Sequence, residues 1–298
     1  MEKIIPRNLI KHLEWTPGQA LPQPAPVSAS SPAIKRFSID DILKGQPFYS
    51  NQKDGDNWVG LPIALREALK YAGSDGIIAT MPELIAVKLK ADKNHDFWKQ
   101  WYTVQTEENI GVDTKGRFYT PNEPVLVVVN GGGILTPDRI ELAYAEGLIN
   151  NSAKYRQEEF DKILDGALPN GDTLALYRLE EIKAGVSNLP HRFGVVMPYA
   201  VAQGTPSGYH SKEVFMENPL VIARAGGVEH LDAFFEKAKD TNDDTLGNHH
   251  PFAGRDASQP QGRVLFLGNN CYGLDGNFNL NNDGRFVGVA PEAHGAKK

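Results

Sequence analysis

The chain has 298 residues, 41% of them hydrophobic, with 31 Lys and Arg against 37 Asp and Glu for a formal net charge of −6. That balance argues against a general nucleic-acid binder, whose footprint is a basic face. The one cysteine, Cys271, excludes an intrachain disulfide and favours a reducing, cytoplasmic location. No run approaches the roughly eighteen apolar residues of a membrane span, and the first residues lack the apolar core of a signal peptide, so no membrane partner is expected.

Residues 1–35 read as an N-terminal arm. Ile5, Leu9 and Leu13 fit one helical face, and the stretch LPQPAPVSASSP that follows is an extended linker without periodicity. Such an arm serves self-association or partner docking, or lies as a strap on its own domain. Residues 36–298 are read as one globular domain with a sub-boundary near residue 120. Within it, Ser38 caps a short helix over 37–45, and Pro62 starts a longer one over 61–71 that closes at Gly73. Residues 83–92 alternate, with Ile85, Val87, Leu89 and Ala91 on one side, and predict a half-buried strand. Residues 98–106 and 117–120 are read as its partners in an antiparallel meander. The aromatics Phe97, Trp98, Trp101 and Tyr102, beside Lys93 and Lys99, read as core, with an exposed stacking platform for sugar rings or bases as the alternative.

The organising stretch is PVLVVVNGGGILTPD, residues 124–138. Val125 to Val129 predict a buried strand, and Thr136-Pro137 a helix start, with Thr136 as N-cap and Pro137 at the first helical position. Between them, Asn130, Gly131, Gly132 and Gly133 form a turn whose backbone amides and following helix N-terminus suit an anion. The pattern is neither a dinucleotide fingerprint nor a phosphate loop. Helices are expected over 138–149 and 156–164, then strands over 173–179 and 193–202, the latter interrupted at Pro198. Residues 219–227, PLVIARAGG, repeat the order proline, apolar strand, Gly-Gly, helix. Gly226 and Gly227 thus read as a weaker copy of the anion turn, ahead of a helix over 228–239. Strands at 263–267 and 284–290 close the domain. The expected architecture is α+β, a mixed or largely antiparallel sheet with packed helices behind a Pro-rich arm.

Three residues are candidates for chemistry. His249 and His250 lie in a loop without periodicity, where a general acid or base often sits. Adjacent histidines in an extended chain point to opposite sides, so no metal site is read from them. Cys271 could pair with a histidine as a nucleophile, although no catalytic-cysteine signature surrounds it. Residues 275–284, DGNFNLNNDG, begin like a calcium loop, but Ala290 stands where the bidentate glutamate belongs, and a hairpin turn explains the same letters. Two functions follow: an enzyme or binding protein for a small anionic ligand held at Gly131–Gly133, or an assembly component attached through residues 1–35. Nothing in the sequence specifies a cofactor.

Overall fold

The structure is a computed structural model that describes residues 37–291 except 56, 253, 254 and 279. The N-terminal arm and the tail after residue 291 lie outside the described residues. The chain enters through helix α1 (Ile39–Leu43), capped by Ser38 in a reciprocal box with Asp41. Strand β1 (Gln46–Ser50) and a hairpin of β2 (Lys53–Asp54) and β3 (Asn57–Trp58) lead to helix α2 (Gly60–Ala72). Strand β4 (Ile77–Ile78), helix α3 (Met81–Lys90) and the single turn α4 (Asp96–Lys99) precede the two long strands β5 (Tyr102–Asp113) and β6 (Glu123–Asn130). Helix α5 (Pro137–Glu146), β7 (Ala153–Lys154) and α6 (Gln157–Leu164) follow, then β8 (Ala175–Arg178), α7 (Leu179–Ala184) and β9 (Phe193–Pro198). The last third runs α8 (Tyr199–Gly204), β10 (Gly208–His210), α9 (Lys212–Glu217), α10 (Pro219–Ala225), α11 (Leu231–Ala238), β11 (Leu246–His249), β12 (Gln261–Leu267), β13 (Leu274–Asp275) and β14 (Gly284–Val289).

The main sheet has the order β10-β11-β13-β12-β5-β6-β9-β8, with β7 paired to β12. Its long central pairs are antiparallel; β8·β9 and β11·β13 are parallel. A smaller sheet joins β1, β14 and β4. The fold is therefore α+β with a mixed, largely antiparallel sheet. Both faces of the main sheet are covered. Leu126 and Val128 of β6 pack into one core with α3, α10 and α11, while Val125, Val127 and Val129 pack into the other with α2, α5 and α6. This double burial is why β6 is apolar at every position from Val125 to Val129 instead of alternating. Among the described residues, no helix is long and apolar enough to cross a membrane.

The structure corrects several strand expectations. Residues 83–90 are helical, and Ala91 and Asp92 lie past the helix end. Thr80 accepts from the Glu83 amide while the Glu83 carboxylate takes the Thr80 amide, and Pro82 sits in the first turn. That capping chemistry starts a helix whatever the alternation downstream. Likewise 219–225 is helix α10: Asn218 Oδ1 accepts from the Leu220 and Val221 amides, Pro219 occupies the first position, and Gly226 closes it in the left-handed region at φ 72°. Residues Leu220 to Arg224 are all buried, so the helix shows no amphipathic stripe and reads as a strand. The resemblance between 124–133 and 219–227 is thus one of letters, not of structure. Residues 117–120 form turns and bends, not a strand, and the strand expected at 98–106 begins at Tyr102 and runs to Asp113. The strand expected over 193–202 stops at Pro198 and becomes α8.

Candidate functional site

The glycine turn is built on an irregularity in β5. Pairing with β12 jumps from Val264↔Glu107 to Leu265↔Val104, which leaves Gln105 and Thr106 bulged out of the ladder. The Gln105 carbonyl accepts from the amides of Gly131 at 3.0 Å and Gly132 at 3.4 Å. Thr106 donates its hydroxyl to Asn130 Oδ1 at 2.8 Å. Gly131 and Gly132 adopt φ of 83° and 96°, where a side chain is strained. The next three amides converge on one carboxylate: Gly133 and Leu135 donate to Glu107 Oε1 at 3.1 and 3.0 Å, and Ile134 to Oε2 at 3.1 Å. A Cβ on Gly133 would stand 2.3 Å from Glu107 Oε2, so the residue must be glycine for the carboxylate to enter.

The turn does hold an anion, and that anion is the chain's own Glu107. With all five amides from Gly131 to Leu135 engaged internally, the turn offers none of them to an outside ligand. Burial pushes the Glu107 carboxyl up to about 7 against the downward pull of the three amides. At Gly226 and Gly227 the amides donate to Ala223 and Ile222 carbonyls, the ordinary closure of a helix.

His250 is buried and structural. Its Nε2 lies 3.1 Å from the Thr205 carbonyl, its Nδ1 accepts from the Phe252 amide at 3.4 Å, and its own amide donates to Ser207 Oγ. Burial and then the nearby Arg224 hold the ring down to about 4, so it stays neutral. His249 ends β11, stands edge-on to Tyr209 at 5.1 Å, and pairs in register with Asp275. Cys271 is half-buried and donates to Asp240 at 3.8 Å; burial and that carboxylate push its thiol up, away from the thiolate a nucleophile needs. His249 borders the segment 268–283, and Cys271 lies within it. Gly226, packed against Phe193 and Pro82, serves a different part of the core. Among the described residues, no group of three His, Cys, Asp or Glu side chains is placed to hold a metal ion. Asn279 of the calcium-like stretch lies outside the described residues.

The segment 268–283 is held in an unusual way. Its main chain is gripped by groups from elsewhere. Lys88, itself fully buried, donates to the Gly268 carbonyl. Arg224 donates to the carbonyls of Leu274 and His249, and Arg263 to that of Gly276 at 3.0 Å. Asn151 O accepts from the Leu280 amide, and the Tyr144 hydroxyl donates to the Leu280 carbonyl at 2.9 Å. Arg224 is itself fixed by Glu108, with both side chains fully buried and Nη2–Oε1 at 2.7 Å.

Outward from this frame, Tyr272 and Phe278 are 55% and 49% exposed. With Trp101, Phe266, Asp275 and Asp283 they line a groove of about 250 Å³. Its rings touch in sequence, Trp101 to Phe266 at 5.8 Å and Phe266 to Phe278 at 5.0 Å between centroids. Sequence reading missed this site. Its aromatic residues come from two stretches far apart in the chain, Trp101 and 266–278, and only the Asn/Gly/Asp richness of 269–284 marked the loop at all.

No family model matches the sequence, and no curated protein matches it. One solved chain is similar to it, described as "Accommodation of massive sequence variation in Nanoarchaeota by the C-type lectin fold". The likeness has 27% sequence identity and a TM-score of 0.61, and spans 86% of this chain and 99% of that one.

Proposed function

We propose that the chain is a binding protein that presents the face formed by residues 268–283, with Trp101 beside it, to a ligand. The observation that carries this reading is the division of labour in the loop. Its main chain is tied down by Lys88, Arg224, Arg263, Asn151 and Tyr144, none of which belongs to it. Tyr272, Asn277 and Phe278 are consequently spared from holding the main chain and can be devoted to contact, whereas Asn269 donates to the Lys99 carbonyl at 3.5 Å and Asn282 Oδ1 accepts the Asp283 amide at 2.9 Å. The similar chain is described as a C-type lectin fold that accommodates massive sequence variation, and a loop fixed through its backbone from outside is a physical way to do so. A small anionic ligand gains no support from Gly131–Gly133, whose amides are taken. Docking through residues 1–35 concerns residues outside those described.

The test compares the full chain with its Asn269→Ala, Tyr272→Ala, Phe278→Ala, Asn282→Ala variant on arrays of synthetic peptides and of glycans. We expect probes bound by the wild type to be lost by the variant, while the two melt within a few degrees of each other. Probes retained equally by both proteins would overturn the reading.

A further inference from the structure

We infer that the groove beside Phe278 takes a cation, an ammonium or guanidinium carried at the end of a basic peptide side chain. This rests on the binding face proposed above and names what that face selects. The groove has four aromatic walls, Trp101, Phe266, Tyr272 and Phe278, and the charged side chains that line it are two carboxylates, Asp275 and Asp283. An aromatic face carries negative charge density, so rings and carboxylates favour the same sign of ligand.

Among the described residues neither carboxylate has an ion-pair partner within 4.0 Å. Asp275 accepts only the Asn277 amide at 2.6 Å, and Asp283 the Tyr49 hydroxyl at 3.3 Å. Burial holds the Asp275 carboxyl above its usual range, with the Asn277 amide, His249 and Arg224 pulling it back. The ionised form is therefore under-compensated, which an incoming cation relieves. The adjoining rings already accept a guanidinium: Arg285 stacks at 4.5 Å over Tyr49 and 5.5 Å over Trp101.

Size points to one side chain rather than a whole small molecule. At about 250 Å³ the groove is below the roughly 300–1,000 Å³ of pockets that enclose a drug-sized ligand. It matches the stem and head group of a lysine or arginine, with the stem against Phe266 and Phe278 and the head between Asp275 and Asp283. A neutral ligand would desolvate both carboxylates without neutralising either. The chain's formal charge of −6 adds long-range attraction of the same sign.

Calorimetric titration of the full chain tests this with four blocked amino acids: acetyl-lysine amide, its Nζ-trimethyl form, acetyl-arginine amide and the uncharged acetyl-norleucine amide. At least one cation should bind in the sub-millimolar to millimolar range, norleucine at least tenfold more weakly. Asp283→Asn should weaken the cation about tenfold without lowering the melting temperature, and Phe278→Ala should do the same by removing a wall. A stronger response to the trimethyl form assigns the site to ammonium groups, and one to arginine assigns it to guanidinium. Norleucine binding as tightly as the cations would overturn the inference, leaving an apolar groove on a binding face that stands. Absence of cation binding up to about 10 mM would overturn it as well, and the array comparison then decides the face on its own.

Discussion

Two segments of this molecule use buried charge to fix backbone, and they do it in opposite directions. At residues 131–135 the main chain supplies amides and the core supplies one carboxylate, Glu107. At residues 268–280 the main chain supplies carbonyls and the core supplies cations, Lys88, Arg224 and Arg263. The glycine turn is consumed by its partner: its amides are spent and a Cβ at Gly133 would collide with Glu107. The loop keeps Tyr272, Asn277 and Phe278 free, because the cations grip only carbonyl oxygens, which every residue type carries, while Asp275 and Asn282 each take an amide within the loop. A glycine-rich turn is thus weaker support for a ligand site than an irregular loop whose backbone is satisfied from outside itself.

The largest effect is expected at Arg224. Arg224→Met leaves Glu108 charged and fully buried, and breaking such a pair from one side costs about 3–5 kcal/mol. Chemical denaturation should show that loss, and binding by the face should disappear with it because Leu274 and His249 lose their donor. At the turn, Glu107→Gln keeps the shape but gives three amides a single neutral oxygen, for a cost of about 2 kcal/mol. That loss should leave the binding face intact. Equal damage to the face from both variants would erase the contrast.

The pH dependence separates them further. Glu107 in the folded chain titrates near 7, above its ordinary 4.5, so between those values the folded state holds the extra proton. Its contribution is fully present below about 4.5 and is lost as pH rises through 7. His250 has the opposite sign: held at about 4 instead of 6.5, it stabilises above 6.5 and loses that contribution as pH falls to 4. Between about 4.5 and 6.5 the two slopes oppose and largely cancel, so melting temperature against pH should be nearly level there and decline only from about 6.5 to 7, and Glu107→Gln should remove that decline and uncover a rise from about 4 to 6.5 set by His250. The smallest effects belong to the loop surface. Asn269→Ala, Asn277→Ala and Asn282→Ala should each shift stability by no more than about 0.5 kcal/mol. A loss of 2 kcal/mol at any of them would mean that the loop depends on its own side chains.

Where capping and turn chemistry was read, it pointed to the right structure. The valine strand, the Thr136-Pro137 helix start, the Ser38 cap and the helix at 60–72 follow from neighbours within a few positions. The α+β class followed as well. Helices α3 and α10 carried the same local signals, Thr80 with Glu83 and Asn218 with Pro219, but their apolar runs suggested strands, and α10 is buried too completely to show a stripe. The frame of the binding face was illegible for a different reason. Glu108 and Arg224 are 116 residues apart, as Lys88 is 180 from Gly268, and no periodicity encodes such pairings. Glu107 looked like an ordinary charged residue at a strand end, because the three amides that bury it come from beyond the next strand.

Glu107 and Glu108 are neighbours on β5, so their carboxylates leave the sheet on opposite sides, one to the glycine turn and one to Arg224. This makes the dipeptide a lock against slippage of the strand. Moving β5 one step either way exchanges the two faces. In one direction Glu107 meets Arg224 and the turn is offered Thr106; in the other the turn receives Glu108 and Arg224 is left with Asn109. Each misaligned pairing satisfies one partner and strands the other, so only a single alignment of the central strand satisfies both.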